Sequence, residues 1–156
     1  MAGSGGVETA EYSDIVINGV FVTVAGLDAN LSARRAVHSS TNKALAWNDR
    51  LFNIENVTGT QRNDRFVGNR QDNVFDGQGE VGRSDRQTTF TDAKGKTYQV
   101  TADVVEYQGM QADYTFGGVA DNFTVAGIRI GTDTLINIEF LRFNGDDTVV
   151  ATADLF

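Results

Sequence analysis

The sequence predicts an all-β fold, and three observations carry that prediction. The chain is rich in Gly, Asp, Asn and Thr, with 17 Gly and no Pro, a turn-forming and strand-forming chemistry. Short β-branched or aromatic runs recur between Gly, Asn and Asp along most of its length, the rhythm of an all-β domain. Gly59, Gly68 and Gly77 lie nine residues apart, and Phe66 and Phe75 each follow a glycine by seven. Such a short period with one large apolar residue per repeat argues for stacked turns.

The elements follow in chain order. In 15–24, Asn18-Gly19 stands between two β-branched runs, the signature of a two-residue hairpin, because a type I′ turn needs positive φ at both central residues. Residues 30–37 can cap and form two helical turns, or remain a loop. Strands are expected at 52–57, 97–102, 104–107, 114–116, 123–125, 128–130, 135–143 and 148–151. Leu51-Phe-Asn-Ile-Glu55 reappears as Leu135-Ile-Asn-Ile-Glu139, with Leu and Ile alternating against Asn and Glu as a half-buried strand requires. This repetition predicts two related β-sandwich-like modules, 1–57 and 86–156, flanking the turns of 58–85 within a single domain, 1–156.

Composition narrows the chemistry. At 156 residues folding hides roughly 70% of the unfolded surface, enough for a core. With no Cys and a single His, thiolate and histidine-built metal sites are excluded, so a bound metal must accept oxygen. No apolar run approaches a membrane span, and the start MAGSGG lacks a cleavable secretory pattern. The net charge of −8 disfavours nucleic acid, which calls for a basic stripe. The charge is uneven, −4 over 1–33, +3 over 34–96 and −7 over 97–156, so one copy's middle can attract the next copy's ends.

At the stretch beginning Thr58-Gly-Thr-Gln-Arg-Asn-Asp-Arg-Phe-Val-Gly-Asn-Arg-Gln-Asp-Asn-Val-Phe-Asp-Gly, the sequence resembles the RTX, or haemolysin-type calcium-binding, repeat family. The segment from Asn53 to Gly59 is similar to the lead-in of such repeats, and Gly131-Thr-Asp-Thr-Leu to the module that follows them. The resemblance implies a short β-roll, or solenoid, whose stacked turns share calcium through backbone carbonyls and the sixth-position acid. It implies Asp64 and Asn73 as ligands at that position, Asn63, Asp72 and Asp76 as nearby oxygen donors, and Asp85 where a third turn would end. Calcium suits such sites because it takes about six to eight oxygens in loose geometry.

The sequence also departs from the family pattern. Thr60 and Asn69 replace its second glycine and Arg62 and Gln71 its third, where a left-handed backbone would strain a side chain. Asn73 offers a neutral oxygen, and Arg62, Arg65, Arg70, Arg83 and Arg86 supply guanidinium groups able to neutralise the acids in calcium's place. The ending Asp154-Leu155-Phe156 is similar to the uncleaved signals that RTX-like proteins show to type I secretion machinery.

No catalytic constellation emerges. His38 stands beside serines and suits a hydrogen-bonding surface residue, Asp146-Asp147 follow an Asn-Gly turn and more simply solvate a hairpin, and Trp47, Phe52 and Tyr12 suit a core better than a sugar platform. The expectation is therefore a secreted or cell-surface structural protein, not an enzyme, assembling with copies of itself into an extracellular filament, coat or matrix and stabilised by calcium. The alternative is a calcium-dependent adhesion or carbohydrate-binding module, with a surface glycan as partner; neither reading involves nucleic acid or membrane insertion.

Overall fold

The computed structural model of the protein describes residues 6–12, 16–17, 20–21, 26–38, 47–79, 88–91, 97–100 and 102–156. Within them the chain winds alternately through two facing sheets. The first pass runs from β1 (Thr9–Glu11) through a hairpin of β2 (Val16–Ile17) and β3 (Val20–Phe21) to β4 (Leu27–Asn30), which β5 (Arg35–His38) and β6 (Trp47–Arg50) extend. The second pass is β7 (Asn56–Thr58) and β8 (Arg65–Val67). The third is β9 (Val74–Asp76) and β12 (Val104–Tyr107), with a hairpin of β10 (Thr88–Thr91) and β11 (Thr97–Val100) between them. A hairpin of β13 (Tyr114–Val119) and β14 (Asn122–Gly127) leads into the last pass, β15 (Gly131–Ile136) and β16 (Phe140–Phe143), and β17 (Thr148–Ala151) closes the chain.

One sheet has the order β1-β7-β9-β15-β14-β13 and the other β17-β16-β12-β8-β4-β5-β6. Strands β1, β7, β9 and β15 are parallel, as are β4, β8, β12 and β16. Each of the four coils therefore contributes one strand to each sheet, and the added strands pair antiparallel at the ends. The all-β expectation holds. The flanking segments 1–57 and 86–156 do not build sandwiches of their own, because their strands share both sheets with those of 58–85. One nine-residue repeat supplies one strand, so a full coil takes two repeats.

The inward positions follow the period of two along each strand. Ala10, Val57, Phe75, Leu135 and Phe123 from one sheet meet Leu27, Ala29, Phe66, Val105 and Leu141 from the other in a single core. Phe66 and Phe75 stack with ring centroids 5.2 Å apart and planes at 27°, although they hang from opposite sheets. Each is fully buried, worth about 1.5–3 kcal/mol in transfer from water.

Several local expectations change. The 15–24 hairpin holds in its paired strands, with Ile17 opposite Val20. Residues 30–37 are neither helix nor plain loop: β4 and β5 form a hairpin, its turn fixed by Asn30 Oδ1 accepting the Ala33 N–H at 2.7 Å and by Arg34 at φ 56°. Residues 128–130 form the turn between β14 and β15. The segments 52–57 and 135–143 are broken by corners at Asn53 and Asn137, with φ of 51° and 52°, a left-handed conformation that Asn tolerates better than most residues. The repeated Leu-x-Asn-Ile-Glu is thus a corner: Leu51, Ile54, Leu135 and Ile138 plug the core while the Asn turns the chain, once into each sheet.

The spaced glycines do not serve a left-handed backbone. None of Gly59, Gly68 and Gly77 has positive φ. A Cβ on Gly59 would instead strike Asp64 Oδ2, and one on Gly77 would strike Asp103 Oδ2 and the Asn137 carbonyl. Gly59 and Gly77 make room for acids, and Gly68 for the Asn73 amide oxygen.

Candidate functional site: two seams of inward-turned acids

The residue immediately before the parallel-paired stretch of each winding strand is acidic or an amide at seven of the eight positions: Glu8, Glu55, Asn73 and Asp133 at one edge of the stacked coils, and Asp64, Asp103 and Glu139, with Leu27 as the exception, at the other. Strand register makes the members of each set equivalent. At the second edge the carboxylates form a continuous seam. Leu27 N–H donates to Asp64 Oδ1 at 2.6 Å, Asp64 N–H to Asp103 Oδ1 at 2.7 Å, and Asp103 N–H to Glu139 Oε2 at 2.7 Å. Each acid accepts the amide of its counterpart one coil earlier, which satisfies a backbone donor that the corner would otherwise strand.

At the first edge Glu8 N–H donates to Glu55 Oε2 at 2.9 Å and Asn73 N–H to Asp133 Oδ1 at 3.0 Å. Between these pairs the direction reverses. Asn73 Nδ2 donates to the Glu55 carbonyl at 2.8 Å, and Asn56 Oδ1 accepts the Val74 N–H at 2.9 Å. The amide at Asn73 is thus used as a donor.

The loops around Thr60–Arg62 and Asn69–Gln71 are closed by side chains. Thr60 N–H and Oγ1 donate to Asp64 Oδ2 and Oδ1 at 2.5 and 2.8 Å, and Thr60 Oγ1 accepts the Arg62 N–H at 3.1 Å. Nine residues on, Asn69 N–H donates to Asn73 Oδ1 at 2.9 Å and Asn69 Oδ1 accepts the Gln71 N–H at 2.8 Å. The strain expected at Thr60, Arg62, Asn69 and Gln71 does not arise, since none has positive φ.

Burial tunes these groups. Asp133 is fully buried, which pushes its carboxyl up to about 7, against the lowering pull of the Asn73 amide and the Tyr107 hydroxyl. Tyr107 O–H donates to Asp133 Oδ2 at 3.2 Å, and burial followed by that carboxylate holds the phenol well above its usual range. Glu139 is also raised, by burial, with the Asp103 amide opposing. On the outer face of the second sheet Glu106 goes the other way. Burial alone would raise it, but the bidentate Arg65 guanidinium, at 2.8 and 2.7 Å, more than offsets this. Arg65 also reaches Asp28 at 2.7 Å.

The six residues expected to hold calcium are dispersed. Asn63 and Asp64 precede a strand of one sheet, and Asp72 and Asn73 precede a strand of the other. Asn63 Oδ1 accepts the Ala102 N–H at 3.1 Å, Asp72 Oδ1 the Thr132 N–H at 2.8 Å, and Asp76 Oδ1 the Gln78 N–H at 2.9 Å and Asn137 Nδ2 at 3.1 Å. Asp85 lies outside the described residues. Among the described residues no group of three or more His, Asp or Glu could hold a metal ion, and a cation would have to displace N–H groups whose positive ends already face the candidate oxygens.

Asp103, Asp133, Glu139, Glu55 and Glu8 escaped the sequence reading, although a signal was present. Each stands two before an inward residue, Val105, Leu135, Leu141, Val57 and Ala10, the same offset that links Asp64 and Asn73 to their Phe. Of the other residues singled out, Tyr12 is buried with its hydroxyl on Asp49 and Phe52 is 41% exposed. His38 ends β5 and Trp47 begins β6. Asp146 and Asp147 lie in the β16–β17 turn, where Asp147 pairs with Arg142 at 3.0 Å, as the hairpin reading expected. No protein-family model matches the sequence, and no curated protein is similar to it. Among the described residues no helix is long and apolar enough to cross a membrane.

Proposed function

We propose that this is a secreted structural protein, RTX-like in its winding, that assembles end to end into an extracellular filament, coat or matrix. The observation that carries this reading is the open end of the roll. There β13 and β17 are the outermost strands of the two sheets, and Tyr-Thr-Phe-Gly-Gly-Val and Thr-Val-Val-Ala contain neither a charge nor a proline. Natural sheets commonly guard such edges with lysine, proline or a covering segment, because unpaired N–H and C=O groups recruit another strand.

Charge favours a head-to-tail register. The hairpin at the opposite end of the second sheet carries Arg34, Arg35 and Arg50, while the turn beside β17 carries Asp146 and Asp147. Contact between unlike ends propagates into a filament where the rotation from copy to copy does not close a ring. The winding, the acid or amide two before seven of the eight inward residues and the glycine clearance support the kinship with RTX repeats. The hydrogen-bonded acids then do within the chain what shared calcium does in that family.

The test is sedimentation and electron microscopy of the purified protein over a range of salt. Polymers are expected at low ionic strength and should shorten as salt screens the ends, over a Debye length of about 10 Å at 0.1 M. Thr115→Lys with Val119→Lys, two exposed positions on β13, should abolish them without lowering the melting temperature. Dispersed monomers in every condition would refute assembly.

A further inference from the structure

We propose that the cleft between the β4–β5 turn and the 69–71 loop binds a carboxylate-bearing saccharide, such as a hexuronate unit of an acidic polysaccharide. The cleft has a volume of about 520 Å³, within the roughly 300–1,000 Å³ of small-molecule sites. Two guanidinium groups, Arg34 and Arg70, line it, and among the described residues neither has an acidic partner. The lining carboxylate, Glu55, is engaged by the Glu8 N–H at 2.9 Å.

The walls are tied in advance. Leu31 N–H donates to the Val67 carbonyl at 2.9 Å and Leu51 N–H to the Arg34 carbonyl at 2.8 Å, while Ser32 Oγ donates to the Gly68 carbonyl at 2.6 Å. These cross-coil bonds fix the turn that presents Arg34 against the loop that presents Arg70, so the backbone of both walls needs little ordering on binding.

The chemistry of the lining selects the ligand. Guanidinium forks match a planar carboxylate in two parallel bonds. The Asn53 and Gln71 side-chain amides also line the cleft and can both donate to and accept from sugar hydroxyls. Arg34 lies over the Phe52 ring at 6.0 Å, and that ring, partly exposed, offers an apolar surface beside the cleft for the C–H face of a sugar. A neutral sugar would leave both cations unpaired. This site neither requires nor follows from end-to-end assembly.

Isothermal titration of the full chain with trigalacturonate and with maltotriose, at low and high salt, tests it. Saturable, salt-weakened binding of trigalacturonate alone is expected, with Arg34→Gln and Arg70→Gln each costing about tenfold in affinity, a change of about 1.4 kcal/mol. Arg70 is exposed, so Arg70→Gln keeps the test valid if the turn bearing Arg34 is disturbed by its own substitution. Absence of saturable trigalacturonate binding, equal binding of maltotriose, or unchanged affinity in a folded Arg70→Gln variant would each overturn the proposal.

Discussion

Replacing Asp64 with Ala should lower the melting temperature by about 10–20 °C, given that 1 kcal/mol moves a domain of this size by about 2–4 °C. The carboxylate is almost wholly buried and accepts the Leu27 and Thr60 amides and the Thr60 hydroxyl. Removing it strands three donors at about 1–3 kcal/mol each, a large share of the roughly 5–15 kcal/mol that stabilises a whole domain. Asp28 supplies the contrast. It is also an acid with a partner, Arg65 at 2.7 Å, but its side chain is 54% exposed, and such surface pairs are worth about 0–1 kcal/mol. Thermal unfolding of Asp64→Ala beside Asp28→Ala is the check, and similar small losses in both would mean that the seam does not hold the coils.

The second large effect is a pH dependence opposite in sign to ordinary acid denaturation. Asp133 has its folded value raised to about 7 from 3.8. Below 3.8 the carboxyl is protonated in both states and costs nothing. Between 3.8 and 7 the folded chain keeps a proton that the unfolded chain has released, so stability falls as pH rises, and above 7 the full penalty has accrued. A shift of this size is worth on the order of 4 kcal/mol. Glu139, also raised, acts in the same direction, while Glu106, lowered beside Arg65, acts in the opposite one and loses its contribution as the medium turns acid. Asp133→Asn retains an oxygen for the Asn73 amide and offers a donor to the Tyr107 oxygen, but cannot ionise. It should be more stable than the parent at pH 8 and close to it near pH 4. Denaturant midpoints at the two pH values measure this, and an Asn variant equally destabilised at both would remove the buried charge from the explanation.

These effects also show where the sequence was legible. The period of nine, the acid or amide two before Phe66 and Phe75 and the pairing of the strands on either side of Asn18-Gly19 each follow from local rules, and the structure keeps all three. What local rules missed is continuity. Between β9 and β12 lies an insertion carrying the β10–β11 hairpin, so Asp103 stands far from the spaced glycines although strand pairing makes it the neighbour of Asp64. The Leu-x-Asn-Ile-Glu repeat alternates like a strand, and only the positive φ at Asn53 and Asn137 reveals a corner. The glycines were recognised by spacing, but their need lies in the carboxylates that pack against them, a long-range contact in the case of Gly77 and Asp103. Asp64 and Asn73 were singled out by their offset from Phe66 and Phe75, while the N–H groups that face Asp64 and Asp72 come from partners as distant in sequence as Leu27 and Thr132.

Amide hydrogen exchange in the presence of a calcium chelator tests most directly whether these acids alone fasten one coil to the next. The N–H groups of Leu27, Asp64, Asp103 and Asn73 each end on a seam oxygen of a neighbouring coil, and should exchange only through global unfolding, as slowly with chelator as with calcium. Rapid exchange of those four amides in chelator, with protection restored by added calcium, would show that an ion holds the seams instead.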